Sequence, residues 1–122
     1  MSKKVLVVDD SLFVRNIVKK VLTESGKFCI VGEAANGKEA VELAEKLEPD
    51  IMILDVTMPV MDGLEAAREI LKKNSNIKVL LLSALGTEDT LSQAQNIGVK
   101  YSLVKPFKPE QLLETLEKIL ET

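Results

Sequence analysis

Residues 51–63 read Ile51-Met52-Ile53-Leu54-Asp55-Val56-Thr57-Met58-Pro59-Val60-Met61-Asp62-Gly63. Ile51 to Leu54 are apolar at every position rather than at alternate ones, which marks a strand covered on both faces, as in a parallel sheet. The run stops at a carboxylate, Asp55, and passes through a proline-containing loop. It then meets Asp62-Gly63-Leu64-Glu65, where an aspartate with a glutamate three residues on sets up a helix start. Leu64, Ala67 and Leu71 continue as a helical apolar stripe.

The same unit recurs on both sides of this stretch. Val5 to Val8 ends in Asp9-Asp10, and Val14, Ile17, Val18, Val21 and Leu22 follow at helical spacing. Phe28 to Val31 precedes Ala40, Leu43, Ala44 and Leu47, whose helix is opened by Asn36 with Glu39 in a capping-box-like arrangement. Val79 to Leu82 ends in Ser83 and leads to Thr87 to Gln95, the weakest helix pattern, with Leu91 and Ala94 its main apolar positions. Tyr101 to Val104 ends in Lys105, and Pro109 opens a last stripe of Leu112, Leu116, Ile119 and Leu120.

Five alternations without a linker, repeat or low-complexity tract predict one α/β domain over residues 1–122. Its expected form is a three-layer, doubly wound (βα)5 domain with a parallel five-stranded sheet and right-handed crossovers. The continuous runs belong at the centre of the sheet, with residues 28–31 and 101–104 at the edges. Carboxyl ends of parallel strands share one edge, where such folds bind ligands. Asp9, Asp10, Asp55, Ser83 and Lys105 are therefore expected in one pocket.

A chain of 122 residues suffices for a core without staples, and with 3% aromatic residues that core must be mostly Val, Ile, Leu and Ala. The net charge of -3 argues against a general nucleic-acid surface and favours a protein or metal partner. Cys29 is the single cysteine, so no intrachain disulfide forms, and its apolar surroundings read as core. No apolar run approaches membrane-spanning length, and the expected location is the cytoplasm. Gly32 to Lys38 reads G-x-x-x-x-G-K, near a phosphate-binding loop, but Glu39 stands where Ser or Thr should bind Mg²⁺. Gly37 is better read as a turn residue beside the Asn36 cap.

Three crowded carboxylates need a cation, because like charges raise one another's pKa. The chain has no histidine. An all-oxygen donor set with room for water and phosphate oxygens suits Mg²⁺. A carboxylate beside such a metal can attack phosphorus to give an acyl phosphate. Asp55 is the expected acceptor because it stands alone, whereas Asp9 and Asp10 look like a metal-binding pair. Lys105 would neutralise a phosphoryl oxygen and Ser83 hydrogen-bond another, with Ala84 leaving space for entry. Singly, each residue reads as a cap, a turn residue, a loop hydroxyl or a solvated strand end. Their joint placement defeats those readings.

Asp9-Asp10-Ser11, Asp55-Val56-Thr57-Met58-Pro59 with Asp62-Gly63, Ser83-Ala84 and Lys105-Pro106-Phe107 together resemble the response-regulator receiver domain, of the stand-alone chemotaxis-regulator type. The resemblance spans essentially the whole chain. It implies a flavodoxin-like sheet of order 2-1-3-4-5 and a cis Lys105-Pro106 bond. It further implies a two-component phosphorylation switch in which a sensor histidine kinase or phosphotransfer protein supplies a phosphohistidine. Mg²⁺ would be held by Asp10, Asp55 and the backbone carbonyl of Thr57, with Asp9 acting partly through water. Such a protein catalyses only its own phosphoryl transfer and autodephosphorylation, Thr57 and Leu85 flanking the path of the attacking water. The competing reading is an aspartate-nucleophile Mg²⁺ phosphatase, but those enzymes usually carry a second Asp where Thr57 stands. A flavin carrier is disfavoured by Asp9-Asp10, which would repel the flavin phosphate.

Receivers usually place an aromatic residue three positions before the lysine, and here that position is Ser102. Tyr101 points to the opposite face, so it is expected to serve as surface or edge packing while the loop and helix after Ser83 still move. No DNA-binding or catalytic domain is expected after Thr122, so the signal is expected to leave by protein contact through residues 87–121. That surface comprises Thr87 to Gln95, Tyr101 to Val104 and Pro109 to Glu121. A monomer is expected, with a dimer on activation left open.

Overall fold

The computed structural model of the chain describes residues 2–84 and 88–121. Its elements run β1 Lys3–Val8, α1 Leu12–Ser25, β2 Phe28–Ala34, α2 Gly37–Leu47, β3 Ile51–Asp55, α3 Gly63–Lys73, β4 Lys78–Ser83, α4 Glu88–Ile97, β5 Tyr101–Val104 and α5 Pro109–Leu120. The strands are parallel and lie in the order β2-β1-β3-β4-β5. This is the flavodoxin-like doubly wound sheet that the resemblance implied. The Lys105-Pro106 bond is cis, as it also implied.

The continuous apolar runs are buried on both faces because each strand's alternating residues enter two different cores. Val5, Val7, Ile51, Ile53, Leu80 and Leu82 pack with Val18 and Leu22 of α1 and Leu112 and Leu116 of α5. Leu6, Val8, Met52, Leu54, Val79 and Leu81 pack with alanines of α2, α3 and α4, among them Ala40, Ala44, Ala66, Ala67 and Ala94. Fully burying such a Leu, Ile or Val contributes about 1.5–3 kcal/mol relative to leaving it exposed. The sheet is thus anchored from both sides, and its carboxyl edge inherits that rigidity.

Three expectations need correction. Cys29 is exposed rather than in the core: β2 is an edge strand, and the residue after buried Phe28 turns outward. For the same reason β2 extends to Ala34 and takes in Glu33, which a one-sided edge strand tolerates. Leu91 is 38% exposed, leaving Ala94 as the buried apolar residue of α4. That helix runs from Glu88 to Ile97, and Thr87, like Leu85, lies outside the described residues.

The helix starts follow their side chains. Asn36 Oδ1 accepts from the Glu39 N–H at 2.9 Å, while the Glu39 carboxylate reaches back to the Ala35 N–H at 2.9 Å, one residue earlier than a capping box requires. Asp62 Oδ1 accepts from the Glu65 N–H at 2.8 Å. The Gln111 side chain closes the start of α5 by accepting from the Lys108 N–H at 2.8 Å.

Candidate functional site

The acidic residues gather where β1 and β3 end. Asp55 is the last residue of β3 and 4% exposed, Asp9 directly follows β1 and is 1% exposed, and Asp10 is exposed. One carboxylate oxygen from each lies within 4.8 Å of the others. Neither Asp9 nor Asp10 is spent as the cap of α1. That work falls to Ser11, whose Oγ accepts from the Val14 N–H at 3.3 Å. The expected alternative of a capping aspartate is thereby set aside, and the acid pair stays available to the pocket.

Asp9 is held at every polar atom. Its N–H donates to the Ala34 carbonyl at 3.1 Å, Oδ1 accepts from the Ser11 N–H at 2.9 Å, and Oδ2 accepts from Lys105 Nζ at 2.8 Å. Its carbonyl accepts from the Arg15 guanidinium. Lys105 comes from the turn after β5, where its N–H donates to the Ser83 carbonyl at 2.7 Å. This bond ties the ends of β4 and β5 together and carries the ammonium to 3.1 Å from Asp55 Oδ1. Ser83 ends β4 and is 6% exposed.

The loop after Asp55 is fixed by two close approaches. The Gly63 N–H donates to the Val56 carbonyl at 2.7 Å, and a Cβ on Gly63 would lie 2.1 Å from the Asp55 carbonyl oxygen. The Gly37 N–H donates to the Met61 carbonyl at 3.0 Å, and a Cβ there would lie 2.3 Å from that oxygen. Glycine is required at both places by space. The Gly37 contact also disposes of the phosphate-loop reading, since the N–H such a cradle would use is already committed. Thr57 sits in this loop with its side chain exposed.

Burial raises the Asp55 pKa, Lys105 partly offsets it, and the neighbouring Asp9 and Asp10 raise it further. Burial alone would lower the Lys105 pKa, but Asp9 and Asp55 together outweigh it and hold the ammonium above its ordinary value. The pocket is therefore short of positive charge: one lysine faces three carboxylates. Oxygen-only donors, two of them buried and one open to water, suit a hard divalent cation such as Mg²⁺.

Asp9, Asp10, Asp55, Ser83 and Lys105, chosen from sequence, thus share one edge. Ser11 and Arg15 were not foreseen. A serine before the first helical apolar residues signals a cap and was legible. Nothing in the pattern distinguishes Arg15 from a solvated helix residue.

In β5, Tyr101 is partly buried against the α1–α5 core, whereas Ser102 is exposed. Tyr101 pairs with Leu80 and Ser102 with Leu81 across β4 and β5, so the two side chains do lie on opposite faces.

The chain matches the family model of the response regulator receiver domain over residues 5–117. It is 43% identical to the chemotaxis protein CheY of Thermotoga maritima over 119 residues, covering 98% of each chain. It is 44% identical to CheY of Listeria monocytogenes over 115 residues, covering 94% of this chain and 96% of the other. Among solved structures, CheY in a CheX-CheY-BeF3-Mg²⁺ complex from Borrelia burgdorferi superposes with a TM-score of 0.92 at 34% identity, covering 97% of this chain and 89% of that one.

Proposed function

The chain belongs to the response regulator receiver family, and from that premise we propose that Asp55 accepts a phosphoryl group from a phosphohistidine on a kinase or phosphotransfer protein. CheY-type receivers of this family are phosphorylation-dependent signalling switches, and each residue of the acidic pocket has a part in that role.

An Asp55 carboxylate oxygen attacks phosphorus as the bond from phosphorus to the imidazole nitrogen breaks, and the electron pair leaves with the imidazole. Asp55 is suited to this by its place at the end of β3 beside the two other carboxylates and Lys105, and by burial that limits the approach of water. Lys105 turns from its carboxylate partners toward a phosphoryl oxygen, where a 4 Å pair at intermediate dielectric has a gross Coulomb energy of roughly 4 kcal/mol, set against the carboxylate contacts it leaves. Ser83 donates its hydroxyl to another. Asp10, Asp55 and the Thr57 carbonyl would hold Mg²⁺, with Asp9 acting partly through water. When bound, the ion screens the charge that builds up on the transferring group.

The added charge of about -1.5 to -2 draws Ser83 and Lys105 inward and shifts the populations of the α4–β5–α5 surface. By analogy with the Borrelia CheY, which is bound to CheX, the output is a protein contact made by residues 87–121 of a single receiver domain spanning 1–122. We assign the chain no turnover of outside substrates, a monomeric resting state and a cytoplasmic role beside its phosphodonor. Among the described residues, no helix is long and apolar enough to cross a membrane. The phosphatase alternative gains nothing from the site, where Thr57 replaces the second aspartate.

The convergence of three carboxylates within 4.8 Å, with Lys105 3.1 Å from Asp55, carries this reading. Incubation with acetyl phosphate and Mg²⁺ tests it by intact-mass spectrometry. A single base-labile phosphoryl adduct, lost in Asp55→Asn, is expected. An adduct that persists in Asp55→Asn would overturn the assignment.

A further inference from the structure

Arg15 leaves α1 and reaches back under the acidic loop. Its guanidinium donates to the Asp9 carbonyl through Nη1 and to Glu33 Oε1 through Nε at 3.1 Å, and its side chain is 15% exposed. Glu33 is itself fixed from the other side by Lys19 Nζ at 2.9 Å. Lys19 first, and Arg15 after it, hold the Glu33 carboxyl below its ordinary pKa, so the anchor is charged at neutral pH. A planar guanidinium with two donors engaged in different directions is geometrically fixed in a way an ammonium is not.

The Asp9 carbonyl held in this way belongs to the peptide that joins Asp9 to Asp10. Arg15 fixes the carbonyl of that peptide, while the Asp9 N–H on Ala34 and the Asp9 carboxylate on Ser11 and Lys105 fix the residue on its near side. The exposed Asp10 carboxylate springs from its far end.

We infer that Arg15 is a positioning residue for the acidic pocket: its Glu33-anchored clamp on the Asp9 carbonyl aims the Asp10 carboxylate at the cation held with Asp55. The inference rests on the proposed Mg²⁺ site and adds to it a residue that touches neither the ion nor the phosphoryl group.

The sign of the effect separates positioning from charge. Arg15 is a cation close to a cation site, so if it acted only through its charge, removing it would tighten Mg²⁺ binding. If it acts by aiming Asp10, removing it weakens binding.

Calorimetric titration of the full chain with MgCl₂ makes the comparison, with thermal melting in the absence of Mg²⁺ as a check on folding. Arg15→Gln is expected to bind Mg²⁺ roughly tenfold more weakly, the scale seen when groups that orient metal ligands are lost. Arg15→Lys keeps the charge but cannot reach Glu33 and the Asp9 carbonyl together, so it too is expected to bind several-fold more weakly. It decides the matter if Arg15→Gln does not fold. Wild-type affinity or tighter binding in the folded variants would overturn the inference. Failure of the wild-type chain to bind Mg²⁺ would instead overturn the reading on which it rests.

Discussion

The ammonium of Lys105 stands 3.1 Å from Asp55 Oδ1 and 2.8 Å from Asp9 Oδ2, bridging the ends of two strands. It therefore does two jobs that pull against each other. It neutralises the buried acids when nothing else does, and it competes with any cation that enters. Lys105→Met is expected to bind Mg²⁺ several-fold more tightly by calorimetry. It is also expected to lose about 1–3 kcal/mol of stability in metal-free buffer, because Asp9 and Asp55 then lack their partner. Restoration of most of that loss by added Mg²⁺ is part of the same expectation, since a ligand that binds only the folded state stabilises it. Unchanged Mg²⁺ affinity would show that the bridge and the ion do not compete.

Asp55 is costly to the fold as an anion. Its pKa is raised, chiefly by burial, above the ordinary value of 3.8, which means that folding favours the protonated form relative to the unfolded chain. A carboxyl with a raised folded pKa favours folding most at low pH, and that contribution is lost as pH rises through the folded pKa. Asp55→Asn removes the charge while Lys105 keeps Asp9. The variant is expected to be more stable than wild type by about 1 kcal/mol in metal-free buffer near neutral pH, the scale of an ordinary single substitution. The difference should shrink as pH falls toward the ordinary carboxylate range. Urea midpoints measured across that range check it, and an advantage that grew on acidification would contradict the assigned shift.

Gly63 couples the start of α3 to the acceptor. A Cβ there would stand 2.1 Å from the Asp55 carbonyl, against backbone that cannot step aside as a side-chain end would. Gly63→Ala should cost about 1–3 kcal/mol, as overpacking usually does. It should also slow phosphorylation from acetyl phosphate, because the displaced atoms belong to the acceptor residue. Gly37→Ala meets Met61 instead, 2.3 Å away, and should cost similar stability with a smaller effect on phosphorylation. Equal rates for the two variants, measured at a temperature where both are folded, would show that the acceptor does not sense α3 through this contact.

Much of this was legible because the central strands carry their burial in an unbroken code. Val5 to Val8, Ile51 to Leu54 and Val79 to Leu82 admit few other readings, and the polar residue ending each is placed by topology alone. Edge strand β2 is less readable: Cys29 lies among apolar neighbours, yet one face of that strand meets solvent. Leu91 was misplaced because α4 has so few apolar residues that either helix face fits the pattern. Lys105 was foreseen as a partner for a phosphoryl group, but its hold on Asp9 joins residues 96 positions apart and has no local signature. Arg15 is hidden for another reason: it binds a backbone carbonyl, which every residue possesses.

Val60 has φ of +70° and is 78% exposed. A β-branched side chain is poorly suited to the left-handed region, where Cβ crowds the following carbonyl at a cost of roughly 1–2 kcal/mol. The loop accepts that conformation while it is held on both sides, by Gly37 on Met61 and by Gly63 on Val56. Asparagine tolerates the region better, and unlike glycine it adds little freedom to the unfolded chain. Val60→Asn is therefore expected to stabilise the protein by about 1 kcal/mol in denaturant melts, with the slope of the transition unchanged. Because Val60 is mostly exposed and is not one of the clustered acids, Mg²⁺ affinity should stay at the wild-type value. A loss of stability would show that the exposed isopropyl group packs in the folded state, and a changed affinity would show that the loop conformation reaches the pocket.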